Sequence, residues 1–385
     1  MNVTATAPIE GDCDSKFAAV RAAFQGNFEN HGEPGAAVSI HMDGRPVVDL
    51  WGGWANLAGT QPWARDTLVN VFSVGKAFTA ICILQLCERG AIDPDRPIAR
   101  VWPDFAANGK GAITLRQVLS HRSGLPALHQ PLPEGSMFDW ATMTNALETD
   151  HPWWDPGTEH GYHVNTFGYL LGEVALRVSG KSIGTLLREN VAGPLGADVY
   201  IGLPESEHAR VAEFRWPAGA MKAPADAADE KGLMRWNAYS NPPGLSGYGW
   251  VNSRQWRLGE VPSANGHATA RGVARIYTAL AHGGAIDGID VLSGETLHAA
   301  TIEHSYGVDL VLDRPSRFGL GFQLTHVERP LGPHAGAFGH FGAGGSLGFC
   351  DPETGLAFGY VTCDMGPRWQ NPRNQALIDA VYACL

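Results

Sequence analysis

Residues 73–84 read Ser73-Val74-Gly75-Lys76-Ala77-Phe78-Thr79-Ala80-Ile81-Cys82-Ile83-Leu84, a serine and a lysine three apart at the mouth of an unbroken apolar run. The run predicts a buried helix closing at Gly90. On a helix, positions three apart share a face, and both lie at the end where backbone N–H groups have no intrahelical acceptor. A serine hydroxyl is a poor nucleophile until a base stands beside it. An amine is a base only when uncharged, and burial and the positive end of a helix dipole both disfavour the ammonium. This reading makes Ser73 a nucleophile and Lys76 its base. A serine capping a helix and a lysine lying along the surface would leave the same letters, so the rest of the chain has to decide.

At 385 residues the chain exceeds the size at which one core stops growing, which predicts two lobes. With 44% apolar and 17% charged residues it is a globular chain with a large core. A net charge of −11 without any basic cluster argues against nucleic acid or an anionic membrane as partner. No stretch has the roughly eighteen apolar residues of a membrane span. Met1 to Ser15 carries Glu10, Asp12 and Asp14 and has neither a basic start nor an apolar core, so it does not read as an export signal. The six cysteines are scattered, without CxxC or metal-like spacing, and read as free thiols of a cytoplasmic protein, including Cys350 and Cys363 on either side of a hairpin.

Working outward from Ser73, Asp14–Asn30 predicts a helix capped by Asp14, with Phe17, Val20, Phe24 and Phe28 on one stripe. Ala36–Met42 and Pro46–Trp51 predict strands joined at Asp43-Gly44. Thr114 with Gln117 marks a capping box for Leu115–Leu119. Thr166–Val178, Ser182–Val191 and Thr269–Ala281 read as helices, and residues 218–266, rich in Pro, Gly, Asn and Trp, as an irregular roof over a pocket. Arg317–Val327 alternates as a strand, Leu347–Cys350 and Leu356–Cys363 form a hairpin, and Asn371–Cys384 closes the chain as a helix. Strands at both ends with helices between predict an α/β (α+β) fold. One antiparallel sheet would be built from both termini (1–72 and 299–385), with a mainly helical lobe (73–298) inserted and the active site at their interface.

Three further segments bear on chemistry. Tyr162, just before a helix and after the turn Asp155-Pro156-Gly157, can relay a proton between nucleophile and leaving group; it also fits a tyrosine filling core. The glycines of His340-Phe341-Gly342-Ala343-Gly344-Gly345-Ser346 let backbone N–H groups approach a substrate, or mark a bulged strand. Gly344-Gly345-Ser346-Leu347-Gly348 matches G-x-S-x-G, whose serine needs a strand-to-helix elbow. Here a strand and turn follow, so Ser346 is not read as the nucleophile. His160 and His163 are the tightest of the fifteen histidines, yet no third ligand stands at a metal spacing.

In this order the segments resemble the serine β-lactamase and penicillin-binding-protein superfamily, and within it the family VIII carboxylesterases, which share the class C β-lactamase fold. The resemblance runs from about Gly35 to Met365. It rests on Ser73-x-x-Lys76, Gln117–Leu125, Pro156–His163, Asn265–Arg271 and His340–Phe349. It implies Ser73 as the acylated nucleophile, Lys76 with Tyr162 as the base system, and the N–H groups of Ser73 and Ala343 as the oxyanion hole. His340-Phe341-Gly342 stands where β-lactamases carry Lys-Thr-Gly, and Tyr162-His163-Val164 where they carry Tyr-x-Asn. An amide that would bind a drug side chain is thereby lost, and a fixed positive charge becomes an imidazole that is mostly neutral at pH 7.

These departures favour a neutral ester over an anionic β-lactam. The expected activity is a serine carboxylesterase acting on short-chain or small aryl esters, without metal or organic cofactor. A β-lactamase, D-amino-acid peptidase or acyltransferase would use the same acyl-enzyme. Substrate-binding candidates are His340, Phe341, Gly342, Gly344 and Val164, with Trp154, Trp236, Tyr239 and Trp250 as pocket aromatics.

Overall fold

The computed structural model describes residues 8–217, 229–366 and 368–385. At its centre is a nine-stranded sheet drawn from both ends of the chain. Strands β1 (Glu10–Cys13), β2 (Gly35–Met42) and β3 (Arg45–Gly53) come first. From the C-terminal part come β4 (Ser305–Asp309), β5 (Arg314–Phe318), β6 (Gln323–Leu324), β7 (Phe338–Phe341), β8 (Leu347–Asp351) and β9 (Leu356–Thr362). The order across the sheet is β1-β3-β2-β9-β8-β7-β6-β5-β4, with every neighbour antiparallel. The two ends of the chain meet at β2 and β9, where Ile40 faces Phe358. Asp43 and Gly44 both take positive φ (49° and 83°), as a two-residue hairpin turn with the sheet's twist requires.

The helices that matter for the site are α1 (Ala18–Asn30), α2 (Val74–Glu88), α3 (Thr166–Ser179), α4 (Ala270–Ala281) and α5 (Pro372–Tyr382). Helices α1 and α5 cover one face of the sheet, sharing a core of Val20, Phe24, Ile40, Phe358 and Leu377. Helix α4 lies on the other face, against Ala357 and Val361. Gly348 and Gly359 face each other in register beneath it. A Cβ at Gly348 would stand 2.3 Å from the Tyr277 ring, and one at Gly359 2.3 Å from the Ala270 carbonyl. Those two glycines let α4 settle on the sheet, which gives Gly348 of the G-x-S-x-G pattern a packing role.

Helix α2 is buried from Val74 to Leu86 and packs against α3 and β7. A helix that is apolar all round belongs in a core. Burial of Phe78, Ile81 and Ile83 contributes about 1.5–3 kcal/mol each, and this surplus offsets the cost of carrying an amine, Lys76, into the same interior.

Most predicted elements are present, with differences of detail. A 3₁₀ turn (Ser15–Phe17) precedes α1, and Asp14 makes no side-chain cap. Strand β1, absent from the sequence reading, pairs with β3. The span predicted as one strand over Arg317–Val327 is interrupted after Phe318 and resumes at Gln323. The 182–191 helix holds α-geometry only over Ile183–Leu187 and loosens into a π-turn to Ala192. Part of the segment read as irregular lies outside the described residues (218–228); beyond it, Glu230–Ser240 and Arg254–Leu258 are helices, capped by Asp229 and Ser253. Among the described residues all six cysteines are unpaired, Cys350 facing Ala357 across the hairpin.

Candidate active site

Ser73 stands at the start of α2 and lines a cavity of about 780 Å³. It does not cap its own helix, since its hydroxyl accepts no backbone N–H. The residue before it, Phe72, sits in the left-handed region (φ 48°), a conformation that costs a non-glycine residue of order 1–3 kcal/mol. The Phe72 ring is held edge-on by Phe214 and Trp216, 4.9 and 6.2 Å away. The Val71 N–H donates to the Gly266 carbonyl at 2.7 Å. The chain thus arrives at α2 through a sharp, fixed corner that presents Ser73 to the cavity.

Lys76 is fully buried, one turn on. Its Nζ lies 3.1 Å from Ser73 Oγ, 2.6 Å from the Val164 carbonyl and 3.0 Å from the Ser263 carbonyl. Burial without a carboxylate partner drives its pKa well below the usual 10.5. A neutral amine has two N–H bonds and one lone pair. The two carbonyls take the N–H bonds, which leaves the lone pair for the Ser73 hydroxyl proton.

Tyr162 is also fully buried, its ring stacked on Phe318 (5.7 Å) and edge-on to Trp369 (4.9 Å). Burial raises its pKa well above 10 against the pull of the neighbouring Ser73 hydroxyl, so it stays a phenol. Its hydroxyl faces Ser73 without a well-formed hydrogen bond to any described group. The backbone anchors the ring: the Tyr162 N–H donates to both oxygens of buried Asp309 at 3.0 and 3.1 Å. Asp309 also accepts from the Val311 and Leu312 N–H groups and from Ser316 Oγ, each at 2.9 Å. Sequence reasoning missed Asp309, which carries no motif and lies 147 positions from its partner.

The glycine-dense segment closes the site. A Cβ at Gly342 would fall 2.2 Å from the Val71 carbonyl, so only glycine lets the end of β7 lie against the corner before Ser73. Among the described residues neither the Ser73 N–H nor the Ala343 N–H has a hydrogen-bond acceptor. Ala343 and Gly344 line the cavity with Ser73, Tyr162, Val164 and Tyr239.

Other candidates from the sequence lie elsewhere. His340 is fully buried behind the wall, its Nδ1–H donating to the Phe341 carbonyl at 2.7 Å, and burial holds it neutral with a pKa of about 3. Phe341 and Gly342 are likewise covered and do not line the cavity. Trp250 packs edge-on against Phe138, Trp154 against His163, and Trp236 is half-buried on its helix, all three outside the lining. Ser346 is fully buried and its Oγ accepts the Thr362 N–H at 3.3 Å. His160 bonds to Ser316 while His163 bonds to Ser123, so the two imidazoles do not converge on a shared ligand. The Asp150 carboxylate, grouped with His129 and His151, is already occupied by the N–H groups of both. Phe72, Trp216, Arg314 and Trp369 line the cavity without having been singled out from sequence.

Known proteins resemble this chain over almost its whole length. The chain is 38% identical to the esterase/beta-lactamase LipL of Mycobacterium tuberculosis over 356 residues, covering 91% of this chain and 82% of that one. A solved family VIII carboxylesterase superposes with TM-score 0.90 at 39% identity, over 98% of this chain and all of the other. A penicillin-binding protein homolog from Caulobacter crescentus does so with TM-score 0.89 at 40% identity and the same coverage. The family model for Beta-lactamase matches residues 20–383, and the chain belongs to that family.

Proposed function

We propose that the protein is a serine carboxylesterase that hydrolyses short-chain or small aryl esters through an acyl-enzyme on Ser73. The observation that carries this is the 3.1 Å contact between Ser73 Oγ and an amine whose burial keeps it uncharged. Neutral Lys76 takes the Ser73 proton as Oγ attacks the ester carbonyl. The Ser73 and Ala343 N–H groups receive the developing oxyanion. Tyr162, held as a phenol, gives its proton to the departing alkoxide; in the second half-reaction its phenolate takes a proton from the attacking water, and the Lys76 ammonium returns its own to Ser73 Oγ as the acyl group leaves. The opposite pKa shifts of the two groups support this division of base and acid. Water then cleaves the acyl-enzyme by the same route reversed.

The names of the esterase relatives support the ester reading. Neutral, buried His340 supports it too, because no fixed cation stands at the position of the β-lactamase lysine. The penicillin-binding homolog favours the second reading, acylation by a β-lactam. Two lobes, 1–72 with 299–385 and 73–298, meeting at the site, and a cytoplasmic location with free thiols, belong to the same proposal. Among the described residues no helix is long and apolar enough to cross a membrane.

The test is a pair of variants assayed on p-nitrophenyl butyrate and a chromogenic cephalosporin. Ser73→Ala abolishes ester hydrolysis and fluorophosphonate labelling, while Ser346→Ala stays folded and active. Full activity in Ser73→Ala sinks the mechanism; a higher kcat/KM on the cephalosporin reverses the order of the two readings.

A further inference from the structure

The cavity beside Ser73 gathers cations in a protein of net charge −11. Half-buried Arg314 and exposed Arg368 both line it, as does Asp313. The Arg314 guanidinium lies 5.3 Å over the Trp369 ring, and that of buried Arg329 lies 5.4 Å over the same ring. Burial, with Arg368 nearby, weakens the hold of Arg314 on its proton, and burial with Arg314 brings Arg329 down to about 10. The nearby carboxylates are committed elsewhere. Asp313 pairs with Arg235, Asp309 is taken up by three N–H groups and Ser316, and Glu328 is exposed. Among the described residues no carboxylate stands at ion-pair distance from Arg314, Arg329 or Arg368.

Arg314 and Arg329 share one indole with Asp309 as a counter-charge that pairs with neither, so an anion entering the cavity beside Arg314 would be favoured. A guanidinium resting on an aromatic face offers a planar fork of donors matched to a carboxylate. We infer that Arg314, backed by Trp369 and assisted by Arg368, forms a carboxylate-recognition subsite in the substrate cavity. The preferred esters then carry an anionic group, as in a monoester of a dicarboxylic acid. This rests on the esterase reading and narrows its substrate class. The charge absent at His340 is supplied from another wall, so the cavity is selective for an anion placed differently from that of a β-lactam.

The experiment compares mono-p-nitrophenyl glutarate with p-nitrophenyl valerate, which match in length and differ in the terminal carboxylate. The ratio of the two kcat/KM values is expected to fall about tenfold or more in Arg314→Gln, further in Arg314→Gln/Arg368→Gln, and to be largely kept in Arg314→Lys. The wild-type ratio should also shrink with added salt. A ratio in the double variant within about twofold of wild type overturns the inference. A second arm titrates glutarate into the Ser73→Ala protein and follows tryptophan fluorescence. Saturable, salt-sensitive binding that Arg314→Gln removes supports the subsite, and binding unaffected by Arg314→Gln, or no binding, counts against it. Failure of the wild-type protein to cleave either ester would count against the esterase reading alone, since glutarate binding still decides this one.

Discussion

Lys76 Nζ lies 4.8 Å over the face of the Tyr162 ring, and no hydrogen bond joins it to the phenol hydroxyl. Burial shifts both groups strongly from their ordinary ionisation, in opposite senses, and Ser73 faces both. In the proposed cycle Lys76 takes the Ser73 proton during acylation and returns one to Ser73 Oγ during deacylation. This makes Lys76 irreplaceable by a permanently charged residue.

Lys76→Arg is accordingly expected to lose about 10³-fold or more in kcat/KM, as much as Lys76→Met, because a guanidinium cannot give up its proton to act as base. Ester hydrolysis measured alongside a circular dichroism spectrum checks this. A variant with Arg at this position that kept a tenth of the activity would remove Lys76 as base.

The pH profile follows from the two shifts. The reactive amine is neutral, so kcat/KM rises with pH as Lys76 deprotonates, with a midpoint well below 10.5. The reactive phenol is protonated, so activity falls again only as Tyr162 ionises, above 10. Tyr162→Phe is expected to lower the rate about 10²-fold and to erase the alkaline limb while keeping the acid one. An alkaline limb that survives in this variant assigns it to another group.

The sheet assembled from both termini was legible because its strands carry strong local signals: Asp43-Gly44 between apolar runs, and the paired runs around Asp351–Gly355. Ser73 and Lys76 were legible because their relation is three residues long. The cavity was not. Trp369 and Arg314 reach it from a loop and a strand 296 and 241 positions beyond Ser73, and a side chain's direction across such distances is set by packing that no local pattern encodes. The same limit misplaced Trp154, Trp236 and Trp250, none of which lines the cavity. His340, expected to bind substrate, is buried on a strand covered at every position and does not line the cavity.

Gly342→Ala tests the approach of β7 to the serine. The added Cβ would meet the Val71 carbonyl at 2.2 Å, forcing the Ala343 N–H away from Ser73. Loss of one oxyanion donor costs about 10²–10³ in rate. The fall should appear in kcat with little change in KM, and steady-state kinetics on a single ester separates the two.

Arg373 ties this loop to the rest of the fold. It is buried and bonds to Glu33 at 3.3 Å, to Asp364 at 3.1 Å and to the Gly344 carbonyl at 3.1 Å. Arg373→Met leaves Glu33 buried without its cation, a loss of about 3–5 kcal/mol for a broken internal pair. Chemical denaturation should register it as a lower midpoint; an unchanged midpoint would mean that the loop is held by Asn371 and Asn374 alone.

Asp309 offers a test of positioning that stability cannot imitate. Its carboxylate holds the Tyr162 backbone and its negative charge opposes ionisation of the phenol, reinforcing burial. In Asp309→Asn the amide oxygen can still accept from the Tyr162, Val311 and Leu312 N–H groups, while the amide NH₂ donates to Ser316 Oγ, whose own proton turns to His160 Nε2 at 3.1 Å. The Tyr162 N–H loses the second of its two acceptors, the other contacts are kept, and the charge is lost. Removing a nearby negative charge favours the phenolate, so the Tyr162 pKa falls and the alkaline limb moves to lower pH, by about one unit at most. Asp309→Ala, which also frees the backbone, should lower kcat about 10–100-fold with KM little changed, as expected when a reacting group is displaced by a fraction of an ångström to one ångström. An alkaline limb that stays fixed in Asp309→Asn would reduce Asp309 to a structural anchor.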